Sequence, residues 1–271
     1  MRDRVTEELP LENIRSVTFK GALVVTSAYA GLIAIAEAIG VLVGAVPGAL
    51  GHALLVPVML SHYALDETLS RRILPVLALA PLLRILSFVM PIEQLPQIYW
   101  YALVGVPVLI AAALTAHLLG LSWATLGLNL RARPLQPLIA LSGLPLSMAA
   151  FFILRPEPLI SEVDWPTIII GAAILTIFTG FTEEFIFRGL LQHVASKALG
   201  SRAAVLYSSI LFAIMYTGSL SLGYVLFIAL AGLFFGYCVN KSGSIWGVVL
   251  AHSIMNIGMV FIWPFVVNGP G

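Results

Sequence analysis

The chain is short of charge. Only 10% of its 271 residues are Asp, Glu, Lys or Arg and 60% are hydrophobic, against roughly 25% and 45–50% in an ordinary soluble domain. A single aqueous core could not hide that much apolar surface. Cysteine is scarcer still. The single Cys238 excludes an intrachain disulfide and a cysteine zinc cage, and its place in an apolar run suggests packing. A formal net charge of +1 gives no basic field, and the few cations are scattered between hydrophobic runs, which excludes nucleic acid as a partner. Residues 1–17, MRDRVTEELPLENIRSV, mix both charge signs and lack the basic start and cleavage site of a signal peptide, so they are expected to form a cytoplasmic surface segment. A C-terminal prenylation motif is lacking too, so the chain is not itself expected to be prenylated.

What the chain has in abundance is long apolar runs, each of about 18–25 residues and long enough to cross ~30 Å of hydrocarbon. They lie near 18–44, 48–65, 73–91, 98–119, 135–154, 166–190, 203–217, 219–239 and 244–263. Pro47, Pro91, Pro134, Pro166, Gly200 and Gly243 punctuate the gaps. The pattern predicts an all-α, polytopic membrane bundle of about nine transmembrane helices (eight to nine). No linker is long enough to divide it into soluble domains, and no internal repeat is visible. With nine spans, Arg2, Arg4, Arg15, Lys20, Arg71, Arg72, Arg131, Arg133, Lys197, Arg202 and Lys241 fall on one side, with Arg188 at the end of span six. The opposite loops carry only Arg155, amid Glu157, Glu162 and Asp164. Because cytoplasmic loops hold the excess of cations, the N-terminus is expected inside the cell membrane and the C-terminus outside.

An ionisable side chain at lipid depth costs several kcal/mol unless paired or facing a cavity. Few remain after that filter. In FTEEFIFRGLLQH, residues 181–193, Glu184 and Arg188 are four apart on one helix face and can neutralise each other. Glu183 points about 100° away. It lacks an obvious local partner, the profile of a general base, although EExxxR also fits the solvated cytoplasmic end of a helix. In LAHSIMN, residues 250–256, His252 and Asn256 share a face and offer an imidazole and an amide. Alone they would read as interhelical packing glue; their estimated depth lets them meet the Glu183 cluster in the inner half of the membrane. Glu37 and Arg84 are the other intramembrane charges, and a buried pair would relieve both, though their expected depths differ by roughly 10 Å. His52, His62, His117 and His193 form no recognisable ligand spacing; His62 with Asp66 reads as a helix-end contact. The string IYWY at 98–101 reads as an interfacial aromatic belt.

The motifs EEFIFRG, FAIMY at 212–216, KSGSIWG and AHSIMN, in that order, resemble the CAAX protease and bacteriocin-processing family, which includes the type II CAAX prenyl endopeptidases. The resemblance spans roughly residues 135–263. It divides the chain into the segment 1–17, a four-helix N-terminal extension at 18–134 and a CAAX-protease-like intramembrane domain at 135–271. It implies an intramembrane endopeptidase in which a glutamate activates water against a peptide bond of a lipidated or membrane-associated protein. Glu183 would be the base, Glu184 and Arg188 its motif partners, and His252 with Asn256 would stabilise the oxyanion. One position departs from the pattern: the family's second motif is FxxxH, and here Phe212 is followed by Tyr216. A neutral phenol orients water but is a poor base and metal ligand. Tyr216 therefore opens an alternative, a catalytically impaired relative acting as a membrane binding, immunity or scaffold protein. No cofactor is expected; a zinc ion, which would rest on Glu183 and His252, is disfavoured. Transport would require inverted repeats and broken helices, and neither is seen.

Overall fold

The computed structural model describes residues 11–66, 72–89, 95–130, 134–159 and 164–268, with side chains for those between 20 and 267. Arg2, Arg4, Arg71, Arg131, Arg133 and Glu162, the side chain of Arg15 and most of the segment 1–17 lie outside the described residues. Within them the chain is helical and contains no strand.

Among the described residues nine helical segments follow one another: α1 (Leu11–Leu42), α2 (Ala45–Leu65), α3 (Ile73–Val89), α4 (Gln97–Leu118), α5 (Leu135–Leu154), α6 (Trp165–Leu199), α7 (Ser201–Ile214), α8 (Leu222–Ser242) and α9 (Trp246–Val267). Seven are long and apolar enough to cross a bilayer; α3 and α7 are shorter than the expected spans. At 1.5 Å per residue the 14 residues of α7 reach only about 21 Å. The outer surface is apolar, with Leu42, Leu65, Leu118 and Leu222 among many exposed side chains. Such a surface is at home in lipid, where helices satisfy their own backbone groups.

Span six was expected to end near residue 190, but its helix continues to Leu199. The polar residues there do not stop it because QHVASKAL is amphipathic: Val194, Ala195 and Leu199 are buried, and Gln192 donates to the Gly236 carbonyl of α8 at 3.0 Å. At the other end, Asp164 caps α6 by accepting from the Thr167 amide at 3.0 Å. The Thr167 hydrogen bonds hold the Asp164 carboxyl below its usual range. Pro166, whose missing N–H costs nothing in a first turn, follows the cap.

Helix α9 is central. Two-thirds of its most apolar stretch (67%) is buried, against 39% in α8 and less in α1, α2, α4, α5 and α6. It packs on α5 and α6, while α6 packs on α7 and α7 on α8. The first helices are joined to this core: α1 touches α6, α7 and the turn at 217–219, and α3 and α4 both touch α6. Small residues allow the closest approaches. A Cβ on Gly180 of α6 would overlap the Ser253 hydroxyl of α9, and one on Gly143 of α5 would overlap the Ala251 carbonyl.

Candidate active site

The motif-bearing part of α6 is not a regular helix. Thr182–Glu184 form a short α-helical step between two π-helical stretches, Thr176–Phe181 and Phe185–Leu191. Such wide turns recur at functional sites because they re-aim side chains and loosen the i→i−4 ladder. Thr182 uses its hydroxyl to reach the Ile177 carbonyl at 2.8 Å.

Glu184 and Arg188 meet as their spacing predicts: Arg188 Nη1 donates to Glu184 Oε1 at 3.0 Å, with both side chains fully buried. The same oxygen lies 2.8 Å from His252 Nδ1 on α9. The guanidinium is packed 4.2 Å from the Phe212 ring and 5.8 Å from that of Phe235. Gly232 of α8 makes room for it; a Cβ there would lie 3.1 Å from Nη2. The reading of EExxxR as a solvated helix end therefore fails. A solvated end would expose the charges, and here they form an Arg188–Glu184–His252 chain inside the bundle.

Glu183 turns the other way. Its side chain is 17% exposed and lies in the wall of two cavities. The larger, about 710 Å³, is bordered by Thr179, Glu183, Tyr216, Tyr224 and Asn256, and also by Arg84, Trp100 and Tyr101 from the first helices. The smaller, about 270 Å³, is more apolar and runs between α4 and α6 past Val104, Val108 and Phe178. Glu183 has a partner that its own helix could not supply: the Tyr216 hydroxyl donates to Glu183 Oε2 at 2.8 Å. His252 Nε2 stands 4.0 Å from that same oxygen. It is buried and makes no hydrogen bond in the chain.

His252 and Asn256 share a face of α9 as expected but reach different groups. Asn256 Nδ2 donates to Thr179 Oγ1 at 2.9 Å at the edge of the larger cavity, whereas His252 is fully enclosed behind Glu183. Thr179, Tyr101 and Tyr224 were not anticipated. Thr179 lies one helical turn before Glu183, the signal that could have indicated it. The string IYWY divides: Tyr99 is exposed, Ile98 is buried, and Trp100 and Tyr101 line the cavities.

A second buried cluster lies in the first helices. Arg84 Nε donates to Glu37 Oε1, and His52 Nε2 lies 3.1 Å from the same oxygen. Glu37 and Arg84 thus meet despite the expected depth gap, with α2 packed against both α1 and α3. His52, which had no legible spacing, is brought in by that packing. His62 makes its contact with Asp66, at 3.9 Å, and a further one of 3.0 Å with the Tyr29 hydroxyl.

As a metal site, the donor set falls short. Catalytic zinc takes three protein ligands as a rule. Glu183 and His252 are two, Glu184 is committed to Arg188 and His252, and no trio of His, Cys, Asp or Glu side chains converges among the described residues.

Fold and site together define an integral membrane protein whose helices bury a polar centre that borders two cavities. Residues 165–258 match the family model described as Type II CAAX prenyl endopeptidase Rce1-like, a protease family, in agreement with the resemblance read from the motifs. The matched segment, about a third of the chain, contains Glu183, Glu184, Arg188, Tyr216, His252 and Asn256 but none of α1–α5. No curated protein and no solved structure matches the chain.

Proposed function

We propose that this protein is an intramembrane endopeptidase that hydrolyses a peptide bond of a lipidated, membrane-associated protein, with Glu183 activating the attacking water. The carrying observation is the pairing of Glu183, set in a cavity wall, with an imidazole held 4.0 Å away by the buried Arg188–Glu184 pair. Two groups 4.0 Å apart can both hydrogen-bond one water at ~2.8 Å, so a water entering from the Glu183 side would be shared between them.

The hydrogen bonds suggest a division of labour. Glu184 Oε1 accepts from Arg188, and with Glu184 as the partner of that guanidinium the Nδ1–H tautomer of His252 donates to the same oxygen. A neutral His252 then presents Nε2 as an acceptor. That suits it to orient the water beside Glu183 rather than to donate to an oxyanion, and it departs from the role the resemblance implies. The oxyanion donor is then the Asn256 amide, which borders the cavity and has one N–H beyond the bond to Thr179. Glu183 takes a proton as the water oxygen bonds to the carbonyl carbon. It returns that proton to the departing amine as the C–N bond breaks. The match to a prenyl endopeptidase family supports a prenylated C-terminal peptide as the first substrate to try. The cation distribution supports an N-terminus in the cytoplasm, with the site toward the inner leaflet.

The test is cleavage of a farnesylated peptide by purified protein in liposomes. Glu183→Gln is expected to lower kcat by about 10²–10⁴-fold; cleavage at an undiminished rate removes the mechanism. One observation favours a second reading, a silent relative that binds membrane partners: the Tyr216 hydroxyl occupies the very oxygen that faces His252. Under it, neither the parent nor Tyr216→Phe cleaves any peptide, and Glu183→Gln leaves partner binding intact.

A further inference from the structure

Arg84 is the one arginine among the described side chains that borders the larger cavity. It comes from α3, outside the segment that matches the protease family. Its Nε is bonded to Glu37, which is fully buried, and its guanidinium is stacked 4.4 Å over the Phe88 ring. These contacts fix one edge and one face of the group. Among the described residues no hydrogen bond engages the terminal nitrogens; Arg84 and Gly218 both border the cavity, and Nη2 lies 3.6 Å from the place of a Cβ on Gly218. Gly218 follows Tyr216 by two residues, so the turn at 217–219 joins the guanidinium to the wall that carries the Tyr216–Glu183 hydrogen bond.

Neutralising Glu37 would not by itself need a cavity. A buried ion pair is costly in lipid, and well-packed apolar residues of similar volume often serve stability as well or better. A guanidinium held by its Nε edge with a free end is instead the geometry that grips a carboxylate through two parallel hydrogen bonds. We infer that Arg84 is a carboxylate anchor: it binds the free C-terminal carboxylate of the peptide whose scissile bond lies at Glu183. Glu37 and His52 are positioning residues that set the angle of the guanidinium. This inference rests on the endopeptidase reading for its substrate, and adds to it a requirement that the substrate end within reach of the cavity.

The experiment uses binding, so that it does not depend on turnover. A fluorescent farnesyl-cysteine peptide with three further apolar residues is made as the free acid and as the C-terminal amide. Each is titrated onto detergent-solubilised full-length protein carrying Glu183→Gln. The acid is expected to bind tighter than the amide by on the order of tenfold to a hundredfold. In the same background, Glu37→Gln with Arg84→Gln removes both buried charges together, and the preference should fall below about threefold, with amide binding unchanged. Equal binding of acid and amide before any change at Arg84 overturns the anchor, and so does a preference that persists in the double variant. Should the parent favour the acid while the enzyme with Glu183 intact cuts neither peptide, the anchor stands and the hydrolase reading falls.

Discussion

Removing Arg188 alone should be far more damaging than removing it together with the charge of Glu184. Arg188→Met leaves a fully buried carboxylate whose remaining contact is His252 Nδ1 at 2.8 Å, and breaking a buried pair in this way costs about 3–5 kcal/mol. Glu184→Gln alone strands the guanidinium instead, at a comparable cost. With both substitutions no charge is stranded, and the amide oxygen introduced at position 184 can still accept from His252. What is lost then is mainly the stacking of Arg188 on Phe212 and Phe235, about 1–2 kcal/mol. The cycle thus predicts a coupling of at least about 4 kcal/mol. Equilibrium unfolding in mixed micelles, followed by tryptophan fluorescence, measures all four proteins. A double variant as unstable as either single one would show that the charges do not act as a pair, and the argument for a rigidly held His252 would fall with it.

Gly180→Ala forces a methyl into the Ser253 hydroxyl and to 3.1 Å from the Val249 carbonyl, prying α6 from α9. It should cost about 1–3 kcal/mol and most of the activity, with partial recovery on adding Ser253→Ala; a thermal midpoint and cleavage rate equal to the parent's would refute the close-packed interface. Tyr216→Phe deletes the hydrogen bond to Glu183 and should lower kcat by about tenfold, the value of one bond of roughly 1–1.5 kcal/mol. A rise in rate would show instead that the hydroxyl holds the carboxylate back.

The membrane class was legible because apolar runs of this length, repeated along the whole chain, are stable only against lipid. The i,i+4 pairs Glu184–Arg188 and His62–Asp66 were legible because helical spacing makes neighbours of them. Two kinds of fact were not. Sequence spacing is silent on contacts between helices, so Tyr216 on Glu183, His52 on Glu37 and Thr179 beneath Asn256 had no signal in any single segment. Hydropathy is silent on which face of an apolar helix turns inward. Trp100 and Tyr101 therefore read as a belt, although they border the cavities beside Glu183. Polarity also misled at the end of α6, since a buried Gln192 with a carbonyl partner interrupts an apolar run without ending the helix.

The contacts of α1, α3 and α4 with α6 and with the turn at 217–219 bear on how the molecule can be taken apart. A fragment trimmed to 165–258 would carry every motif residue and yet open the chamber beside Glu183 to lipid, because Arg84, Trp100 and Tyr101 stay behind. Under the proposed function, shortening from the front should therefore abolish selectivity before it disrupts the Arg188–Glu184–His252 chain. The two ends of the chain build one chamber: the rear carries Glu183, Tyr216 and Asn256 in its wall, and the front closes the opposite side with Arg84, Trp100 and Tyr101.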